Sequence, residues 1–343
     1  MPTTDQVAFT KQTYAYAGDG RFERSLDFYA PKSLAKSGAT TPPLVVLVVG
    51  SAWLGHSRLL YSGTAWWNAS GPKTFAKLGI PCVSIRHRGA FPCPPPVALL
   101  FALLAAYYFV APLAQQMISV CLVLGAVWHA LAFGAASHDE MMDDVALALK
   151  WIRNNRERLV MCGDDADTPA RPRLQIFGGY SSGAHVAMSL LQRPGKLAQN
   201  GLTAPMAGFD GVLLLSGVCS ARGGMPLPAP KWATRIVSAI TSVVFGSDAA
   251  EKLPSPVHTP QLTPAVPHLL IHCRHEGFGI RPLEAVLDVL LCSKQYAAAL
   301  SERGLPVQVR PVDSDHWTVL NSGALSDALQ EKLLKEAWPS GKM

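Results

Sequence analysis

Short apolar runs alternate along this chain with stretches whose apolar positions recur every three or four residues. Residues 44–49, 80–85, 174–177, 211–216 and 268–272 are mainly apolar over their whole length. Such runs predict strands buried on both faces of a parallel sheet. Residues 306–312 supply a last strand, and 25–31 alternate apolar with polar positions and predict an early one. Residues 139–158 predict a helix, because Val145, Ala148, Leu149 and Ile152 fall on one face. Acids open that helix and bases close it, as the helix dipole favours. Strands alternating with helices predict an α/β fold with a doubly wound, mostly parallel sheet. Residues 1–20 are polar and read as a loosely held lead-in. Residues 221–266 are rich in Pro, Gly and Ser, with a helical piece around 232–245. They read either as part of a cap or as a surface connection. No internal repeat is present.

One block breaks the alternation. Between Gly89 and Ser137 no residue is charged, apart from the titratable His129. Within it lie apolar runs at 97–114 and 117–136, joined by Gln115-Gln116. At a rise of about 1.5 Å per residue, each crosses or nearly crosses a hydrocarbon core of about 30 Å. Neither run has the polar stripe of a surface helix. Residues 97–136 are therefore expected to form an inserted apolar helical hairpin in a membrane. A shorter re-entrant wedge and a pair of buried cap helices are the other readings. Two crossings return the chain to its starting side, so 1–96 and 137–343 form one catalytic domain in one compartment. Arg86 and Arg88, just before the block, favour a cytosolic base by the positive-inside rule. An endomembrane such as the endoplasmic reticulum fits. On that side the acceptor pattern Asn68-Ala69-Ser70 stays unmodified.

The 343 residues are enough for one large α/β domain or two small ones, and the net charge of +6 is mild. No basic patch with interleaved aromatics points to nucleic acid. Cys82, Cys93, Cys121, Cys162, Cys219, Cys273 and Cys292 are scattered, without C-x-x-C pairs, and read as reduced thiols. Residues 1–12 lack an apolar core, so no cleavable signal peptide is expected. No metal is implied, and no phosphate-cradling loop or dinucleotide fingerprint is present, so no cofactor is expected.

The chemistry begins at Gly179-Tyr180-Ser181-Ser182-Gly183, between an apolar run and a helix-like stretch. That context suits a tight strand–turn–helix that lifts a serine hydroxyl clear of the sheet edge. A serine hydroxyl needs an imidazole to take its proton and a carboxylate to orient the imidazole. Glu276 follows the run 268–272, and His316 follows the run 306–312. Ser181 is thus the expected nucleophile, His316 the base and Glu276 the acid. Asp315 ranks second as acid. His185, His258, His272 and His275 are weaker bases. Backbone N–H donors for an oxyanion are expected from Ser182 and from Ser51 or Ala52 in the loop after 44–49.

These residues resemble the esterase/lipase branch of the α/β-hydrolases. Val49-Gly50-Ser51-Ala52-Trp53-Leu54-Gly55 is similar to its H-G-G-G-W or T-G-G-A-W loop. Gly179-Tyr180-Ser181-Ser182-Gly183-Ala184-His185-Val186-Ala187 is similar to its G-x-S-A-G-A-H-x-A elbow. Leu270-Ile271-His272-Cys273-Arg274-His275-Glu276 is similar to its L-x-H-G-x-x-D acid loop, and residues 25–31 to its L-D-x-Y-x-P entry strand. Isoprenylcysteine methylesterases look most similar, with kynurenine formamidases and small carboxylesterases close by. The resemblance spans residues 14–90 and 139–325 and leaves the apolar block outside as an insertion. Val49 stands in place of His or Thr, Ser51 and Cys273 in place of Gly, and Glu276 in place of Asp. None of these removes a required chemical group. The resemblance implies a serine esterase, and together with the apolar block it leads to the expectation of a membrane-associated enzyme acting on a lipophilic ester, such as a prenylcysteine methyl ester. A formamidase-type amidase on a small soluble substrate, and a catalytically silent membrane-bound binding protein, are the alternatives.

Overall fold

Eight strands pair into one sheet: β1 (Phe9–Ala15), β2 (Ser25–Pro31), β3 (Leu44–Val48), β4 (Cys82–Ile85), β5 (Gln175–Tyr180), β6 (Gly211–Leu215), β7 (His268–Cys273) and β8 (Val307–Val312). Their order is β1-β2-β4-β3-β5-β6-β7-β8. Only the β1–β2 and β2–β4 pairings are antiparallel. The computed structural model describes residues 9–32, 42–53, 55–56, 66–90, 136–159, 175–202, 209–220, 230–245, 266–277 and 279–335.

The continuous apolar runs are explained by two cores, one on each face of the sheet. Val46, Val48, Phe177, Val212, Leu214 and Leu270 face one core, and Val45, Leu47, Ile176, Leu213, Leu215 and Leu269 face the other. Successive residues of a strand point to opposite faces, so a strand covered on both sides must be apolar throughout. Helices α2 (His138–Asn154), α3 (Ser182–Leu191), α5 (Lys231–Phe245), α6 (Arg281–Leu291) and α7 (Ser293–Ser301) contribute to the first core. Helices α1 (Trp66–Lys77) and α8 (Gly323–Leu329) contribute to the second. The short α4 (Pro194–Gln199) follows α3. The expected helix at 139–158 is α2 followed by a 3₁₀ turn, Arg156–Arg158. Its start is fixed by a capping box between Ser137 and Glu140, and Val145, Ala148, Leu149 and Ile152 are buried.

One expectation is overturned at the N-terminus. Part of the expected lead-in is β1, an edge strand paired along its whole length with β2. Its residues are mostly exposed, so its polarity hid it. β1 also supplies Lys11 and Thr13 to a buried carboxylate on β2. Asp27 accepts from Thr13 Oγ1 (2.6 Å), Lys11 Nζ (2.9 Å) and both terminal nitrogens of Arg86 (2.7 and 2.9 Å). Burial works against its charge, yet these donors hold its carboxyl below the usual range.

The expected hairpin at 97–136 lies outside the described residues, except for Ala136, as does His258. Among the described residues no helix is long and apolar enough to cross a membrane. The two ends of the block are placed. Ala136 N–H donates to Gly89 O (3.1 Å), and Ala90 N–H donates to Trp53 O (2.7 Å). Strands from both sides of the block share the sheet. Arg86 is fully buried against Asp27, and Arg88 pairs with Asp144 (2.9 Å) and Glu140 (3.3 Å). Both arginines are thus held in ion pairs, Arg86 fully buried and Arg88 partly so. Asn68 lies within α1.

Candidate active site

The C-terminal ends of the parallel strands carry the site. β5 ends at Tyr180, and Ser181 takes φ 53 and ψ −128 before α3 begins. A non-glycine residue in such a conformation costs about 1–3 kcal/mol and persists only where its surroundings hold it. Two glycines permit the turn. A Cβ on Gly183 would stand 2.3 Å from Val48 O, and one on Gly179 would stand 2.6 Å from Ala184 N. The strand and helix can meet this closely only without those side chains. Ser181 N–H donates to Leu215 O (3.1 Å), which fixes the turn to β6.

His316 follows β8 and is 4% exposed. Its Nε2 lies 3.0 Å from Ser181 Oγ, and its Nδ1 lies 3.0 Å from Glu276 Oε2. With the Nδ1 proton donated to the carboxylate, Nε2 is free to accept the serine proton. Glu276 follows β7, and its other oxygen, Oε1, accepts from the Cys273 N–H (2.9 Å) and the Ser216 hydroxyl (3.0 Å). The His316 backbone N–H donates to Glu276 O (3.3 Å), which ties the two loops together. Tyr180 stacks on the imidazole at 5.3 Å, and its hydroxyl donates to His316 O. Burial pushes the Tyr180 pKa well up, so it stays a neutral donor.

The competing side chains are placed elsewhere. The Asp315 carboxylate accepts from Trp317 N–H (2.8 Å), Thr318 N–H (3.0 Å) and Thr318 Oγ1 (2.6 Å), so it caps its own turn. His185 is buried on α3, with Nδ1 3.1 Å from His138 Nε2 and its ring edge-on to Trp53. His275 is exposed, 3.9 Å from Glu284. His272, on β7, lines a cleft of about 880 Å³ beside the acid loop, together with Glu276, Asp288, Cys292 and Lys294. Neither Ser181 nor His316 lines that cleft.

The oxyanion candidates divide. Ser51 N–H donates to Ser182 Oγ at 2.9 Å, and Trp53 N–H donates to the same oxygen at 3.3 Å. Ala52, between the two donors, takes φ 50, and Trp53 itself takes φ 61. The Ser51 donor is thus already used. The Ala52 N–H has no acceptor among the described residues. Ser182 is the first residue of α3, where backbone N–H groups have no partner within the helix. Trp53 is 3% exposed and wedged edge-on between His185 (5.6 Å) and Phe245 (5.4 Å).

Sequence reasoning missed Ser216, and it treated Ser182 as a backbone donor only. Ser216 is fully buried, with φ 39, immediately after β6. Its position at the C-terminal end of an apolar run was the available signal. The pairing of β6 with β7 then brings it to the acid loop.

No protein-family model matches the chain, and no curated protein matches it. Solved structures do resemble it. A truncated carbohydrate esterase from gut microbiota is 16% identical, with a TM-score of 0.56, over 95% of this chain and 97% of that one. The esterase Est22 is 16% identical, with a TM-score of 0.56, over 96% of this chain and 82% of that one. Esterase B from Lactobacillus rhamnosis HN001 is 12% identical, with a TM-score of 0.55, over 94% of this chain and 84% of that one. At these identities the comparison establishes the fold alone, an α/β fold with a mostly parallel eight-stranded sheet.

Proposed function

We propose that the protein is a serine hydrolase that cleaves a carboxylic ester. The reading rests on one observation: Ser181 Oγ, His316 and Glu276 are linked by two contacts of 3.0 Å, at the ends of three strands. In this reading His316 Nε2 takes the Ser181 proton as Oγ attacks the ester carbonyl. Glu276 holds the imidazole in the correct tautomer and stabilises the imidazolium. The Ala52 and Ser182 N–H groups donate to the developing oxyanion. Such a donor lowers the barrier by about 3–4 kcal/mol. His316 returns the proton to the leaving alcohol. Water, deprotonated by the same imidazole, then releases the acyl group.

The substrate class we propose is a lipophilic ester presented at a membrane surface, of which a prenylcysteine methyl ester is one example. The apolar block supports it. The block leaves and rejoins the fold at Gly89 and Ala136, whose backbones are hydrogen-bonded, and Ala90 is bonded to Trp53 of the oxyanion loop. Apolar chain anchored there holds the site where lipophilic esters partition. A catalytically silent binding protein is the second reading, and the engaged Ser51 N–H favours it. A panel of lipophilic and water-soluble esters with the membrane-extracted full chain tests both. Preferential hydrolysis of the lipophilic esters supports the proposal. Cleavage of soluble esters alone overturns the surface role, and no cleavage of any ester favours the silent reading.

A further inference from the structure

We infer that the Ser182 side chain is a positioning group that clamps the oxyanion loop, a role separate from the backbone N–H of the same residue. The inference rests on the hydrolase reading for its catalytic consequence, though not for the clamp itself. Two consecutive non-glycine residues, Ala52 and Trp53, hold φ values of 50 and 61. L-residues resist this region, because Cβ crowds the backbone, and they remain there only where several contacts hold them.

Such contacts are present. Ser182 Oγ accepts from Ser51 N–H (2.9 Å) and Trp53 N–H (3.3 Å), the residues on either side of Ala52. Trp53 O accepts from Ala90 N–H (2.7 Å). The Trp53 ring is packed between His185 and Phe245. Successive backbone N–H groups in this kind of turn form a concavity that binds an electronegative atom. Here the atom is a hydroxyl oxygen on the residue next to the nucleophile, and it is buried, at 1% exposure. One side chain thus joins the two halves of the hole. It fixes the loop relative to Ser181 and leaves the intervening Ala52 N–H as the loop donor.

A glycine in this loop would relieve the strain but widen the range of backbone conformations to be restrained. In this chain Ser51 and Ala52 carry side chains, and the Ser182 hydroxyl supplies the restraint. Geometric precision at an oxyanion hole is worth large factors in rate, because its donors must already be aimed when charge develops.

The test is Ser182→Ala in the full chain, which keeps the backbone donor and removes only the clamp, with Ser182→Thr restoring an oxygen. Amide hydrogen exchange at Ser51 and Trp53 is expected to speed up about tenfold in Ser182→Ala and to recover in Ser182→Thr. With an ester substrate, kcat is expected to fall about tenfold with KM nearly unchanged, because positioning acts in the transition state. Unchanged exchange and unchanged kcat would overturn the clamp. A rise in kcat would also overturn it, since the hydroxyl would then be competing with the substrate for Ser51 N–H. A wild-type chain that hydrolyses no ester sinks the hydrolase reading alone, and the exchange comparison still decides the clamp.

Discussion

The acid side and the oxyanion side of this site are held in opposite ways. Glu276 sits among donors that a carboxylate calls for. One oxygen takes Cys273 N–H and the Ser216 hydroxyl, and the other faces His316. Each bond on this side is charge-assisted, and burial strengthens it. The oxyanion loop instead holds two residues in a disfavoured conformation and spends one candidate donor on a neighbouring hydroxyl. The acid side is stable by its own chemistry, and the oxyanion side is stable through its neighbours. Substitutions on the two sides should therefore act differently: losing a donor on the acid side costs stability and activity together, whereas relieving strain on the oxyanion side gains stability and costs activity.

Glu276→Gln should have the largest effect. Cys273 N–H and Ser216 both donate to one oxygen, so the amide carbonyl is drawn there and the amide NH₂ is turned toward His316 Nδ1. The imidazole must then carry its proton on Nε2, where it cannot accept from Ser181. A wrong tautomer costs roughly 10⁴ in kcat. Steady-state kinetics check this, and a loss below about tenfold would mean that the acid is elsewhere.

Ser216→Ala should be intermediate. It leaves the buried carboxylate with one fewer charge-assisted donor, a loss of about 1.5–3 kcal/mol in stability. The fall in kcat should be on the order of tenfold, since Cys273 N–H remains. Denaturant unfolding and kinetics on the same sample measure both, and an unchanged pair would remove Ser216 from the site.

Ala52→Gly should be smallest and of opposite sign in stability. Glycine adopts φ 50 without the Cβ penalty, so the folded state should gain about 0.5–1 kcal/mol. The freed loop should lose activity at the same time. A more stable and less active variant on this side, set against a less stable and less active one at Ser216, would sharpen the contrast. A destabilised Ala52→Gly would break it.

The strand framework was legible because burial on both sheet faces leaves little choice of residue. Runs such as 44–49 and 211–216 mark β3 and β6 to within a residue. β1 was not legible, since an exposed edge strand carries the polar residues of a loop. The chain order of Ser181, Glu276 and His316 was readable because a strand end precedes each of them. Ser216 was not, because a buried serine after a strand has no local signature and gains meaning only from the β6–β7 pairing. The choice between Ser51 and Ala52 was equally closed to the sequence. It depends on where one hydroxyl, more than a hundred residues along the chain, meets the loop.

Activation of Ser181 by His316 is the core of the proposed chemistry. The most direct measurement is covalent labelling of the detergent-solubilised chain with a fluorophosphonate, beside Ser181→Ala and His316→Ala. Labelling of the wild type that disappears in Ser181→Ala and falls by at least about a thousandfold in rate in His316→Ala is the predicted result. A folded wild-type protein that takes no label, or a label that survives Ser181→Ala, would contradict it.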